Sequence, residues 1–235
     1  MSNAYEIHDL GLTDYRQTYA LQKYYVGLVK SARLKGALLF TEHKPIFTFG
    51  RSGDRSNMLI SEASAGSFGI DILEVDRGGD VTFHGPGQLV TYPIFNLKEH
   101  QMDLHRYLRE IEEVIIKSLR KSGIPSFRPD GHTGVWTKEG KIASIGIAVS
   151  RWISYHGFSV NANVDLRYFD MIHPCGLKDE KITSMCQTQG SKVDMGLLKQ
   201  EIAGFIQEAF GCILSPPESS SATLAEISNM ILNNK

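Results

Sequence analysis

The chain has 235 residues, 42% hydrophobic and 9% aromatic, which is long for one domain, short for two, and ample for a core. Its 25 Lys and Arg against 26 Asp and Glu leave a net charge of −1, which removes the basic excess of a dedicated nucleic-acid binder. Cys175, Cys186 and Cys212 are odd in number and lack CxxC spacing, arguing against a disulfide framework or structural zinc and for a reducing compartment.

The polar N-terminus has no apolar signal core, and no apolar run approaches the ~20 residues of a membrane span. A soluble, unsecreted protein is expected. A short strand at 5–7 precedes a helix over 14–34, with Thr13-Asp14 as N-cap, an apolar set of Tyr15, Tyr19, Leu21, Leu28 and Val29, and Gly36 as its stop. Residues 37–50 read as two short strands around a turn at 43–45, and 51–57 as a polar loop. Strand-like runs at 72–76 and 88–95 enclose a glycine-rich segment expected to be a loop. The clearest helix starts at Asp103, carries Leu104, Leu108, Ile111, Ile115 and Leu119, and stops at Gly123-Ile124-Pro125. His100 and His105 belong to its start and are expected in water.

From Gly134 the pattern is β: a hairpin of 134–137 and 141–149 around Lys138-Glu139-Gly140, then a third strand over 155–164. A less regular region follows, then a helix over 194–210 ended by Gly211. A Pro/Ser linker leads to a last amphipathic helix near Ser221 or Thr223. Strands and helices are mixed, which predicts an α+β fold with a mixed sheet. A catalytic domain over 1–213 and a tail over 214–235 without assigned role divide the chain.

The densest chemistry lies in "RGGDVTFHGPGQLVTYPI", 77–94. It is neither GxGxxG nor GxxxxGK[ST], so no phosphate-cradling fingerprint is present. Its glycines suit a tight turn and a ligand-facing loop equally. Cys175, between Pro174 and Gly176 and outside any apolar run, is the candidate nucleophile. Cys212 reads as packing and Cys186 lies between these cases. His173 is a weak partner for Cys175 because Pro174 interrupts a regular strand. Lys141, by its residues alone, reads as a solvated hairpin-end lysine. The eight histidines lack HxxxH or HExxH spacing, so no metal site is expected.

Three blocks, "RGGDVTFHGPGQLVTYPI" at 77–94, "GVWTKEGKIASIGIAV" at 134–149 and "HGFSVNANVDLRYFDMIHPCGL" at 156–177, give the chain a resemblance to the lipoyl(octanoyl) transferase family over about 30–210. The resemblance implies a biotin/lipoate protein ligase-like domain, a mixed sheet flanked by helices. It makes Cys175 the acyl-accepting cysteine and Lys141 its partner, overturning the solvated reading of Lys141. It assigns the octanoyl pocket to Arg77, Gly78, Gly79, Asp80, Val81, Thr82, Phe83 and His84, to Ser144, Ile145 and Gly146, and to Gly157, Phe158 and Ser159, with Arg77 and His84 at the rim. Phe83 stands where Tyr is common in the family, and Ser144 where Ala is common.

The implied reaction takes octanoyl from acyl carrier protein through a cysteine thioester to a lysine of lipoyl domains. Its acceptors are those of 2-oxoacid dehydrogenases and the glycine cleavage H protein. It needs no cofactor, metal or ATP and belongs in the cytoplasm. Gly78, Gly79, Gly85 and Gly87 are expected to wall the acyl channel and offer N–H groups to an oxyanion. Arg51, Arg55, Arg151, Lys178 and Lys181 form either a docking face for acidic partners or scattered solvated charge. The alternatives are an ATP-dependent lipoate or biotin ligase, a lipoyl-domain-to-lipoyl-domain octanoyl transferase, and a non-catalytic carrier-binding module.

Overall fold

The computed structural model describes residues 5–100, 102–174 and 181–217. The expectations placed on Cys175, Lys178 and the last helix lie outside them. Strands β1 (Tyr5–Thr13), β2 (Gly36–His43), β6 (Gln88–Phe95), β7 (Val135–Thr137), β8 (Gly140–Ser150), β9 (Ile153–Asn161) and β10 (Leu214–Ser215) form a seven-stranded mixed sheet. Its order is β10-β1-β2-β6-β9-β8-β7. The β1 pairings with β10 and β2 are parallel, and the others are antiparallel. Leu214 and Ser215 thus extend the sheet past the expected boundary at 213. A second sheet, order β4-β3-β5, holds β3 (Ile46–Phe49), β4 (Asp71–Glu74) and β5 (Val81–His84).

Helix α1 (Tyr15–Lys30) starts where expected, because the Asp14 carboxylate accepts from Arg16 and Gln17 N–H, satisfying two of the unpaired first-turn donors. It ends earlier than expected, and Gly36 opens β2 instead. Its face of Leu21, Tyr25, Val26 and Val29 covers Ala37, Leu39, Val90, Tyr92 and Ile94 on one side of the sheet. The alternate residues Leu38, Phe40 and Leu89 point to the other side, as the two-residue period of a strand requires. There they meet α3 (Leu104–Lys121) and α5 (Met195–Phe210) through Ile111, Ile115, Leu119, Ile202 and Ile206. Asp103 and Asp194 cap these helices, and Gly211 ends α5 at φ 59°. Leu104, expected on the buried stripe of α3, is exposed, and Tyr107 takes the first inward position.

Several short elements escaped the sequence, among them α2 (Glu62–Ser67), α4 (Met185–Gln189), β5 and β10. His100 is also corrected. It is half-buried, 5.3 Å from the Phe210 ring, its Nε2 has no hydrogen-bond partner among the described residues, and burial lowers its pKa. His105 is exposed as expected. Among the described residues no helix is long and apolar enough to cross a membrane.

Candidate active site

Pro93 sits inside β6 and has no N–H to give, so the β6–β9 ladder runs from Gln88↔Asn161 to Thr91↔Phe158 and then lapses. The Ser154 hydroxyl bridges the gap, donating to Pro93 O at 2.8 Å and accepting from Phe95 N at 3.0 Å. His156, opposite this gap, adopts φ 55°, and its N–H reaches Gln22 Oε1 at 2.7 Å. Gly157 then returns so close to β6 that a β-carbon would stand 2.1 Å from Thr91 O. Only glycine fits that approach.

The cleft opens between β5, β6, β8, β9 and the start of α1, with about 450 Å³ of atom-free space including its mouth. Arg77, Gly78, Gly79, Thr82 and His84 from the first predicted block line it, with Ser144, Ile145 and Gly146 of β8 and Gly157, Phe158 and Ser159 of β9. The blocks are joined by β8–β9 pairing of Ser144↔Ser159 and Gly146↔Gly157, and by Gly78 N–H donating to Ile147 O at 2.9 Å. Three expected lining residues are absent from the walls. On β5, Thr82 and His84 face the cleft, so Val81 and Phe83 point away into a third core with Phe47, Phe169 and Ile172. Asp80 instead accepts from Asp54 N–H at 2.8 Å and from the Asn57 amide.

Arg77 and His84 are not at the rim. Both are buried, and the Arg77 guanidinium donates to Thr48 O at 2.6 Å and Thr48 Oγ1 at 2.9 Å. His84 Nδ1 bonds Gln88 Oε1 at 2.7 Å; the Gln88 amide nitrogen already donates to Phe83 O and Asn161 Oδ1, so His84 carries its proton on Nδ1. Burial, opposed by the Gln88 bond and aided by the nearby Arg77 charge, pushes His84 down to about 3. His156 falls to about 4, mainly by burial, although Asp76 beside its Nε2 at 2.8 Å pulls the other way. Both imidazoles are therefore neutral at pH 7.

Asp76 also accepts from Tyr19, Lys23 and Tyr155 at 2.8, 2.9 and 2.6 Å. Burial works to raise its pKa, but the four donors outweigh this and hold the carboxyl well below the ordinary range. The sequence reading missed Tyr15, Val90, Tyr92 and His156 as lining residues. Val90 and Tyr92 share a face of β6, and His156 directly precedes Gly157, so strand period alone was the available signal.

Lys141 is buried at 3% exposure, which removes the solvated reading. Its Nζ lies 4.7 Å from the Trp136 ring centroid. Its N–H donates to Lys181 O at 2.7 Å and its carbonyl accepts from Thr183 N at 2.9 Å. Asn161 Nδ2 donates to Thr183 O at 3.0 Å, so side-chain bonds run from His84 through Gln88 and Asn161 to the segment clamped on Lys141. Cys175 is outside the described residues. His173, close before it, is tied through its N–H to Asn57 O at 2.7 Å. Cys212 is buried, which pushes its thiol up to about 11, and Cys186 is half-buried. Two of the glycine N–H groups expected to meet an oxyanion are taken: Gly78 donates to Ile147 O and Gly87 to Glu42 Oε2. In the expected docking face, Arg55 is engaged by Glu62 and Glu74, each at 2.9 Å. Among the described residues no group of three metal-ligating side chains occurs.

A mixed sheet flanked by helices is the fold this chain shares with lipoate and biotin protein ligases. A lipoate-protein ligase A bound with ATP superposes with TM-score 0.74 at 15% identity, covering 100% of this chain and 96% of that one. An Aquifex aeolicus biotin protein ligase in complex with biotin and ATP gives 0.57 at 16% identity, covering 88% and 70%. The model of the lipoyl protein ligase A/B catalytic domain matches residues 14–207, and the chain belongs to that family. Relatives include an octanoyltransferase of Syntrophotalea carbinolica, 42% identical over 86% of this chain and 92% of that one. Another, of Flavobacterium psychrophilum, is 38% identical over 90% and 99%.

Proposed function

We propose that the protein is an octanoyltransferase. It moves an octanoyl group from octanoyl acyl carrier protein to a lysine of lipoyl domains, those of 2-oxoacid dehydrogenases and the glycine cleavage H protein, through a thioester on Cys175. The observation that supports the reading is that one strand joins the cleft to a buried lysine. β8 presents Ile145 and Gly146 to the cleft and, three residues before Ser144, the buried Lys141. The relatives named octanoyltransferase support the same reading.

An acyl chain entering a cleft walled by Val90, Ile145 and Phe158 leaves water at ~0.8 kcal/mol per CH₂, about 5 kcal/mol for roughly six methylenes. The chemistry follows from the dyad. A thiol of ordinary pKa near ~8.5 is mostly protonated at pH 7, and the Lys141 ammonium favours its thiolate. The thiolate attacks the donor thioester, the C–S bond to pantetheine breaks, and Lys141 gives its proton to the departing thiolate. In the second half the acceptor amine attacks the enzyme thioester, neutral Lys141 takes the amine proton, and Cys175 leaves as thiolate. The donor arrives activated, so no ATP step is needed, and the protein works in the cytoplasm.

The reading is tested by mixing the protein with octanoyl acyl carrier protein and a lipoyl domain without ATP and weighing the lipoyl domain by mass spectrometry. An octanoyl mass gain is expected. No gain without ATP, together with modification when free octanoate and ATP are supplied, would make the protein a ligase instead.

A further inference from the structure

We propose that Trp136 is a positioning residue for Lys141, holding its ammonium on the face of the indole so that the charged head keeps one place. The proposal rests on the reading of Lys141 and Cys175 as the acyl-transfer pair. Trp136 is directly opposite Lys141 in the β7–β8 pairing. The Nζ stands 4.7 Å from the ring centroid, inside the ~6 Å over which a ring quadrupole attracts a cation. Both side chains are buried, so water screens the attraction little.

The neighbouring backbone leaves a slot for the lysine stem. A β-carbon at Gly134 would lie 3.0 Å from Lys141 Cε and 3.0 Å from the edge of the Trp136 ring, so a side chain there would push the two apart. The Lys141 main chain is clamped on both polar groups by Lys181 and Thr183. A lysine stem has four rotatable bonds and ordinarily many rotamers. Here its root is pinned, its middle confined and its head seated on a ring, which is the fixed geometry that a proton-transferring group requires. The ring face attracts the ammonium, so it holds that charge at one place.

Fluorination tests this without altering the packing, because fluorine withdraws electron density from the ring face while nearly keeping its shape. The chain has two tryptophans, Trp136 and Trp152, so the reference protein is Trp152→Phe, expressed with ordinary or with mono-, di- and trifluorinated tryptophan. The readouts are the single-turnover rate of Cys175 octanoylation from octanoyl acyl carrier protein, and the pH profile of Cys175 alkylation by iodoacetamide. The rate falls stepwise with fluorine number to about one tenth, and the alkylation profile moves to higher pH. In Lys141→Ala the series becomes flat. A flat series with Lys141 present overturns the proposal, as does a fluorine-dependent rate in Lys141→Ala. If Lys141→Ala acylates Cys175 at the full rate, the acyl-transfer pairing itself fails; if it is slow and the fluorine series is flat, only the role of Trp136 fails.

Discussion

Replacing Gly157 by Ala tests how closely β9 must approach β6 to shape the cleft. The added methyl would stand 2.1 Å from Thr91 O and 2.8 Å from Pro93 Cδ, where ordinary contact starts at 3.4 Å. Neither neighbour is a flexible side-chain tip: one is main chain and the other a proline ring within a fully buried central strand. The strands must therefore part, straining the Val90↔Ser159 and Thr91↔Phe158 pairings, each bond worth about 1 kcal/mol net, on top of about 1–3 kcal/mol for overpacking. A total of about 3–5 kcal/mol corresponds to a fall in Tm on the order of 10 °C for a chain of this size. Thermal melts followed by circular dichroism read it. Gly204→Ala, on an exposed face of α5 with nothing within 4 Å of the new carbon, is the control and stabilises by about 0.5–1 kcal/mol. A Gly157→Ala protein melting within about 2 °C of the parent would refute the close approach.

The folded-state pKa values of His156, about 4, and His84, about 3, lie below the ordinary value. Unfolding therefore takes up protons, and stability falls as pH drops from about 6.5. For His156 the loss reaches about 3 kcal/mol by pH 4. His156→Asn, which suits φ 55°, reduces the slope of urea midpoint against pH between about 6.5 and 4; an unchanged slope would contradict a neutral buried His156. Ser154→Ala leaves Phe95 N–H and Pro93 O without their bridge and costs about 1–3 kcal/mol in urea unfolding; a neutral result would mean that the Pro93 gap needs no hydroxyl.

The starts of the three long helices, and the end of α5, were legible because they are written in local chemistry. Asp14, Asp103 and Asp194 are caps by side-chain type, and Gly211 is a stop by its φ. The β7–β8 hairpin was legible for the same reason, its Lys138-Glu139 turn being short and polar. Strand β5 was not, because its four residues lie between Gly78-Gly79 and Gly85-Pro86-Gly87, a density of turn-formers that reads as one loop. The order that puts β6 between β2 and β9 depends on pairings between distant residues, which no local pattern specifies. The cleft was recognisable as three blocks, yet their depth was misjudged. Arg77 and His84 look like loop residues until Thr48 and Gln88 bury and bond them. Lys141 looked solvated because Trp136 covers it from across the hairpin and residues 181–183 arrive from forty positions later.

The central claim is that the acyl group passes through Cys175 with Lys141 as its partner. The most direct measurement incubates the protein with octanoyl acyl carrier protein alone, without ATP or acceptor, quenches it in acid and maps the adduct by peptide mass spectrometry. A single octanoyl group, labile to hydroxylamine, on the Cys175 peptide, formed far more slowly in Lys141→Ala, is the expected result. An unmodified Cys175 peptide with a donor proven active, or an adduct confined to another residue, would contradict the account.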